Sequence, residues 1–415
     1  MGFPLYEGFP VYGVEIFLGK RRKNVYNKHE KLQNIICIRV KTIMNFGRVK
    51  EFVKNELVLV IAAAAALISM LFVPVSAAYI EYFDWQVLAL LFCLMTVVAG
   101  FQKSGVFDRV SSWLCSKAGN AREIGIVLVM LCFFSSMAVT NDVALITFVP
   151  FAILILSMTE QKELMPYIIV LQTIAANLGS MLTPVGNPQN LYLYACYEMG
   201  AGEFFSTTLP ITALSFAVIL ALCMKIPKKT LEQHKTDYHP RMERPMLLVS
   251  TVLFMCCLST VFRLVPWPVT FAVVFVVYVM VDRSLLRKVD YSLLATFLCF
   301  FVFTGNMGEI TWIQNTLGEL MQGRELWVSA LASQVISNVP AAVLLSGFTE
   351  QGRLLLLGCD IGGLGTPVAS LASLISYKAY CKYPAADSAG YMKLFLLLNA
   401  VLLVLLLLTA QLFLV

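Results

Sequence analysis

The sequence predicts an all-α polytopic membrane protein built from two inverted structural repeats. Each repeat is expected to carry one re-entrant helical hairpin and one broken transmembrane helix. Three observations lead there: an apolar composition, polar and Pro/Gly punctuation inside long apolar runs, and an in-order match between the two halves.

Of 415 residues, 59% are hydrophobic and 13% charged, more apolar surface than a soluble core of that size uses. Many apolar runs approach or exceed the roughly 17 residues that cross a bilayer as helix, and no strand alternation with turn punctuation argues for a barrel. The eleven cysteines are scattered without a CxxC pair and read as small buried hydrophobes. His29, His234 and His239 lie in polar stretches outside the spans, so no histidine-based metal or nucleophile constellation forms in the membrane. The chain therefore reads as a non-enzyme with no cofactor. Its net charge of +6 reads as basic cytoplasmic loops, with no nucleic-acid partner.

In chain order, residues 1–56 are a cytoplasmic N-terminal segment without signal-peptide character. Met44 is the expected start, with 1–43 an upstream extension. The first transmembrane repeat, 57–224, holds spans at about 57–79 and 85–101, followed by a basic amphipathic connection with Lys103, Arg109, Lys117 and Arg122. Residues 124–157 are too long for one span and barely enough for two, and Thr140-Asn141-Asp142 interrupts them. A hairpin that enters and leaves by one face, with those residues at its tip, fits. A broken span at 164–194 and a span at 204–224 complete this repeat. The polar linker 225–244 is cytoplasmic, and the second repeat occupies 245–415. That repeat has spans at 245–262, 266–280 and 293–307, a hairpin at 327–348 interrupted at Ser337-Asn338, a broken span at 354–377 and a last span at 391–415.

The breaks have a physical cause. Between Asn177 and Asn190 the run contains Gly179, Pro184, Gly186 and Pro188, which cannot continue a regular helix. Unwound backbone survives in hydrocarbon only against other protein or a wet cavity. The segment is thus either a kink repaired by neighbouring helices or part of a ligand site. The repeat favours the second. Asn177-Leu178-Gly179 followed by Thr183-Pro184-Val185 matches Asp360-Ile361-Gly362 followed by Thr366-Pro367-Val368 without a gap. Thr140-Asn141 matches Ser337-Asn338, and Asp84-Trp85 matches Asp290-Tyr291. Paired interrupted segments point to a transporter site near the midplane. With the N-terminus cytoplasmic and each hairpin returning to its own side, all of the 31 Lys and Arg residues except Arg263, Arg324 and Arg353 fall on the cytoplasmic side. That layout inverts the halves.

Helix ends at a break offer N–H donors to an anion, and unwound carbonyls and amides offer oxygens to a hard cation. Asn141, Asn187, Asn190, Ser337 and Asn338 supply neutral groups of both kinds. Asp142 and Asp360 are the intramembrane carboxylates, each either a cation or proton site or a satisfied link inside the bundle. Gln172 and Thr173 read as interhelical hydrogen bonds, and Asn306 and Glu309 as solvated residues near an outer helix end.

These tips, together with Thr183-Pro184-Val185-Gly186-Asn187-Pro188-Gln189-Asn190, resemble the ion transporter superfamily: permeases of the citrate transporter, divalent anion–sodium symporter and arsenical pump groups. The resemblance implies hairpin tips that contact substrate and sodium, elevator-like movement and a homodimer. By motif it carries the site onto Thr140, Asn141, Gly186, Asn187, Pro188, Asn190, Ser337, Asn338, Gly365 and Thr366, with Na+ near Asn141, Gly186, Asn338 and Gly365. The carboxylate symporters show Ser-Asn-Thr at both tips. Here the tips are Thr140-Asn141-Asp142 and Ser337-Asn338-Val339, and the Asn-Asp pair is closer to the arsenical pump group. The expected function is secondary transport of small anions, di- or tricarboxylates such as citrate or succinate, across the cytoplasmic (inner) membrane, coupled to Na+ or H+. Arsenite or antimonite efflux and Na+/H+ exchange are the alternatives.

Overall fold

Aspartates start two corresponding helices of the halves, Trp85–Ser104 and Tyr291–Glu309. The computed structural model describes residues 56–115, 117–230 and 241–413, so the expectation of a start at Met44 lies outside the described residues. Asp84 accepts the Val87 N–H at 2.9 Å, and Asp290 accepts the Leu293 N–H at 2.9 Å. Each carboxylate satisfies an N–H that a helix start leaves without a partner.

The described chain is helical. The first half comprises α1 (Leu57–Ser69), α2 (Trp85–Ser104), α3 (Val106–Cys115), α4 (Ala121–Val139), α5 (Asn141–Met158), α6 (Met165–Ser180), α7 (Pro188–Cys196) and α8 (Ala201–Cys223). The second comprises α9 (Arg244–Val261), α10 (Trp267–Asp282), α11 (Tyr291–Glu309), α12 (Thr311–Met321), α13 (Glu325–Ile336), α14 (Asn338–Ser346), α15 (Gly352–Gly362), α16 (Leu371–Cys381) and α17 (Ser388–Phe413). Seven of them, α2, α4, α5, α8, α9, α11 and α17, are long and apolar enough to cross a membrane.

Both expected breaks are present, at 181–187 between α6 and α7 and at 363–370 between α15 and α16. Both expected tips are single residues, Thr140 and Ser337, between consecutive helices. The arms differ in length between the halves. The arms α4 and α5 have 19 and 18 residues, about 28 Å each at the helical rise. The arms α13 and α14 have 12 and 9, about half of a bilayer core.

Several expectations need correction. The first span stops at Ser69 rather than near residue 79, because the chain turns ahead of Pro74 and folds back through a short 3-10 turn at Ala77–Ile80. That return covers Asn306, which is fully buried and not solvated: its Nδ2 donates to Ser69 Oγ and to Tyr79 Oη, each at 2.9 Å. Gln172 does link helices, donating to the Leu128 and Phe148 carbonyls. Thr173 instead donates to Ile169 on its own helix, as a helical hydroxyl readily does toward the preceding turn. The helix α12 has no counterpart among the expected spans.

The buried apolar residues form two main clusters. One joins α4, α5, α6 and α8 to α17, with parts of α13 and α15. The other joins α2, α7, α9, α10, α11 and α14. Each broken helix is pressed onto its hairpin through small residues. A Cβ at Gly179 would collide with the Phe133 carbonyl, and one at Gly358 with Ser329 Oγ and the Leu326 carbonyl. Gly358 and Gly362 form a G-x-x-x-G stripe against Ser329, Ala330 and Ser333, the pattern that lets helix backbones approach closely in lipid. Replacing Gly358 by leucine is expected to force α13 and α15 apart, at a cost of about 3 kcal/mol or more. The check is thermal unfolding of the detergent-solubilised protein, with an unchanged Tm counting against this packing.

The basic loops meet at one end of the bundle. Lys103 pairs with Asp282 at 2.7 Å, Arg122 Nε donates to the Ile226 carbonyl, Ala121 N to the Lys229 carbonyl, and Glu243 N to the Ser104 carbonyl.

Candidate functional site

Two polar residues hold a backbone conformation that glycine normally occupies. Thr140 has φ 72° and ψ 151°, and Ser337 has φ 74° and ψ 156°. Residues in that region carry strain of order 1–3 kcal/mol and persist only where surrounding contacts over-determine them. The contacts here are hydrogen bonds between tip and break. Asn141 N donates to the Gly186 carbonyl at 3.1 Å, and Asn338 N donates to the Ala369 carbonyl at 2.9 Å. Thr183 Oγ1 donates to the Met137 carbonyl, and Thr366 Oγ1 donates to the Gln334 carbonyl at 3.0 Å. In both tips the asparagine Oδ1 accepts the next N–H, from Asp142 and from Val339, at 2.9 Å. The same junction is therefore built twice, and its members correspond under the ungapped alignment of the two breaks.

The two junctions are tied to each other by the aligned pair Asn177 and Asp360. Asn177 Oδ1 accepts from Asn141 Nδ2 at 3.0 Å and from Ser370 Oγ at 3.1 Å, while its Nδ2 donates to the Gly363 carbonyl at 3.3 Å. Asp360 answers from the other half. Its Oδ1 accepts from Asn187 Nδ2 and Gln189 Nε2, each at 3.3 Å. Asn187 also caps α7, its Oδ1 accepting Asn190 N at 2.9 Å. Asn190 Nδ2 faces the carbonyls of Ser180, Met181 and Thr183, holding the unwound segment together. Pro188 opens α7, where its missing N–H is harmless.

Gly186 and Gly365 are required by space. A Cβ at Gly186 would collide with the Ser180 backbone, and Gly365, at φ 100°, lies against Gln334. Gln334 Oε1 accepts Thr366 N at 2.9 Å while its Nε2 donates to the Gly362 and Leu364 carbonyls. Gln334 thus orders the second break as Asn190 orders the first.

One cavity of about 210 Å³ opens beside the first junction. Thr140, Asp142, Asn187 and Pro188 line it, with apolar side chains of α2 and with Lys288 and Asp290. Lys288 and Asp290 are exposed, and Asp142 is partly buried. The Asp142 carboxylate has no hydrogen bond or ion pair to any described residue, while its N–H is taken by Asn141. Of the residues expected at the site, Asn141, Gly186 and Asn190 stand behind this wall. Ser337, Asn338, Gly365 and Thr366 form the second junction and do not line the cavity. Asn177, Ser180, Gln189, Gln334 and Ser370 were not among the expected site residues. Asn177 had a signal in its alignment with Asp360, and Ser180 and Gln189 lay inside the broken stretch Asn177 to Asn190.

For a hard cation, the oxygens nearest the expected Na+ positions are suitable. The Gly186 carbonyl and the Asn141 and Asn338 Oδ1 atoms each accept from the backbone N–H described above, and an oxygen of this kind has a second lone pair. Among the described residues no group of three His, Cys, Asp or Glu side chains could hold a metal ion.

The chain is 30% identical over 300 residues to the uncharacterized transporter MJ0456 of Methanocaldococcus jannaschii, covering 71% of this chain and 81% of that protein. It is 28% identical over 300 residues to the inner membrane protein YbiR of Escherichia coli (strain K12), covering 71% and 80%. A shorter stretch of 169 residues is 28% identical to the silicon efflux transporter LSI3 of Oryza sativa subsp. japonica, covering 39% and 34%. Residues 49–350 match the family described as citrate transporter, a stretch that includes both hairpin tips and the first broken helix. On that match this chain, a multi-pass membrane transporter and not an enzyme, belongs to the citrate transporter family of the ion transporter superfamily.

Proposed function

We propose that the protein is a secondary active transporter of small anions, di- or tricarboxylates such as citrate or succinate, coupled to Na+ or H+. The observation that carries this reading is the unpaired Asp142 carboxylate in the cavity wall. An anion entering there meets a like charge. Two unit charges about 4 Å apart repel by about 4 kcal/mol at an effective dielectric of about 20. Anion binding is therefore conditional on prior neutralisation of Asp142 by a proton or cation, and a conditional order of that kind is coupling. The doubled junction and the two broken helices support a pair of inverted repeats, and the short arms α13 and α14 support a re-entrant second hairpin. The gathering of the basic loops at one end supports a cytoplasmic N-terminus.

The same carboxylate favours a second reading. An uncharged hydroxylated acid, such as arsenious, antimonous or silicic acid, suffers no repulsion from Asp142 and can donate hydrogen bonds to it. The similarity to a silicon efflux transporter is in line with that reading. Proteoliposomes containing the full chain separate the two. Uptake of labelled citrate or succinate that requires a Na+ or H+ gradient is the expected result. Flux of arsenite or silicic acid with none of either carboxylate would replace the first reading by the second.

A further inference from the structure

The geometry points to Asp360 as the carboxylate of a buried monovalent-cation site, for H+ or Na+, that lies behind the cavity and is linked to it through Asn187. The inference rests on the transporter reading above and adds a site that the cavity itself does not contain.

Asp360 is 2% exposed. Its Oδ1 receives two amide N–H groups, from Asn187 and Gln189, whereas its Oδ2 is buried without a partner. Two more buried oxygens, Gln189 Oε1 and Asn190 Oδ1, on residues whose side chains face Asp360, also lack a donor. The Asn190 side chain lies against the Asp360 carboxyl. Its orientation is set by its own bonds, since Nδ2 faces three backbone carbonyls and Oδ1 must point away from them. Asn187 is set likewise by capping α7. Turning these amides therefore cannot satisfy the three oxygens. What the cluster lacks is a hydrogen or a positive charge.

No side chain supplies that charge. The charged groups on elements packed against α15 are Glu325 on α13, Glu203 on α8 and Lys393 on α17, with Arg353 on α15 itself. Arg353, about two turns away, donates Nε to Thr207 Oγ1 at 3.0 Å, and Glu325 Oε1 accepts from Gly323 N and Thr349 Oγ1. Among the described residues no ion pair reaches Asp360. The tyrosines and cysteines of α6, α7, α8 and α17, and Cys359 beside it, bring no positive charge. An unpaired carboxylate at this depth is costly unless it is neutralised.

The aligned position in the other half shows what a neutral group does in this frame. Asn177 has both amide atoms engaged, Oδ1 twice and Nδ2 once. The amide is complete where the carboxylate is not. Asn187 then connects the site to transport, because it lines the cavity and donates to Asp360. A change of charge on Asp360 alters the hold on a residue of the cavity wall.

The test is thermal unfolding of the purified full chain in detergent, comparing NaCl with choline chloride at equal ionic strength and then scanning pH. Stabilisation by Na+ assigns the site to sodium, and a pH response without a Na+ response assigns it to a proton. Either response is expected to be lost in Asp360→Asn, an isosteric change. It is expected to persist in Glu325→Gln, which removes another buried carboxylate. Should Asp360→Asn fail to insert, Gln189→Met is expected to shift the response about tenfold, since it removes both the unpartnered Oε1 and the Nε2 donor to Asp360. A response unchanged in Asp360→Asn, equally lost in Glu325→Gln, or absent from the parent protein overturns the site. The two readings fail separately. Carboxylate flux in a protein whose unfolding response is unchanged in Asp360→Asn removes this site alone, and a cation response without carboxylate flux removes only the substrate assignment.

Discussion

Asn141→Ala is expected to abolish flux, by about a hundredfold or more, while the protein still inserts and folds. Both polar atoms of the Asn141 side chain are engaged, since Nδ2 donates to Asn177 and Oδ1 accepts the Asp142 N–H. Truncation leaves Asn177 Oδ1 with only Ser370 and frees the N–H that sets the start of α5, so the strained Thr140 turn loses part of what holds it. Removing a partner from buried polar groups costs about 1–3 kcal/mol, enough to displace the tip without unfolding the bundle. The second tip repeats the backbone geometry and the Oδ1 bond, so Asn338→Ala is expected to have the same effect. The measurement is substrate uptake in proteoliposomes beside a size-exclusion profile in detergent. Wild-type flux in both variants would exclude the tips from the transport site.

Asp142→Asn is expected to do something different: to keep substrate binding and destroy its dependence on the cation. The carboxylate faces the cavity, and in the absence of a neutralising proton or cation it repels an anion. The amide removes the repulsion. Anion affinity in Na+-free buffer at alkaline pH is then expected to rise about a hundredfold, equivalent to about 2.7 kcal/mol. Concentrative uptake should fall to facilitated exchange. Equilibrium binding of labelled citrate and succinate, with and without Na+, gives the first number, and counterflow in vesicles gives the second. Binding that remains as cation-dependent as in the parent protein would place the coupling elsewhere.

Much of the fold was legible because the bilayer imposes one local rule: an apolar run must be helical, and the residues that cannot be helical must be sheltered. Gly186 and Pro188 broke the first run and Gly365 and Pro367 the second, so both breaks appeared at their true places. The tips were legible for the same reason, Thr140-Asn141-Asp142 and Ser337-Asn338 being polar inside apolar segments. Errors arose where a role depended on a distant segment. Asn306 looked solvated because nothing in its own neighbourhood announces that the chain after α1 folds back over it. Gln189 and Gln334 were not singled out as site residues, yet one faces Asp360 and the other orders the second break.

By itself, then, the sequence determined the solvent, the helical class, the positions of the interruptions and their repetition, all consequences of residue type and spacing. Only the tertiary structure decided which groups meet. It exchanged Asn177 and Asp360 between the two junctions, gave the amide a full set of partners and left one carboxylate oxygen bare. It also opened the cavity beside the first tip. These outcomes depend on how helices far apart in the chain pack, and a hydrogen bond between such segments leaves no mark in either local sequence.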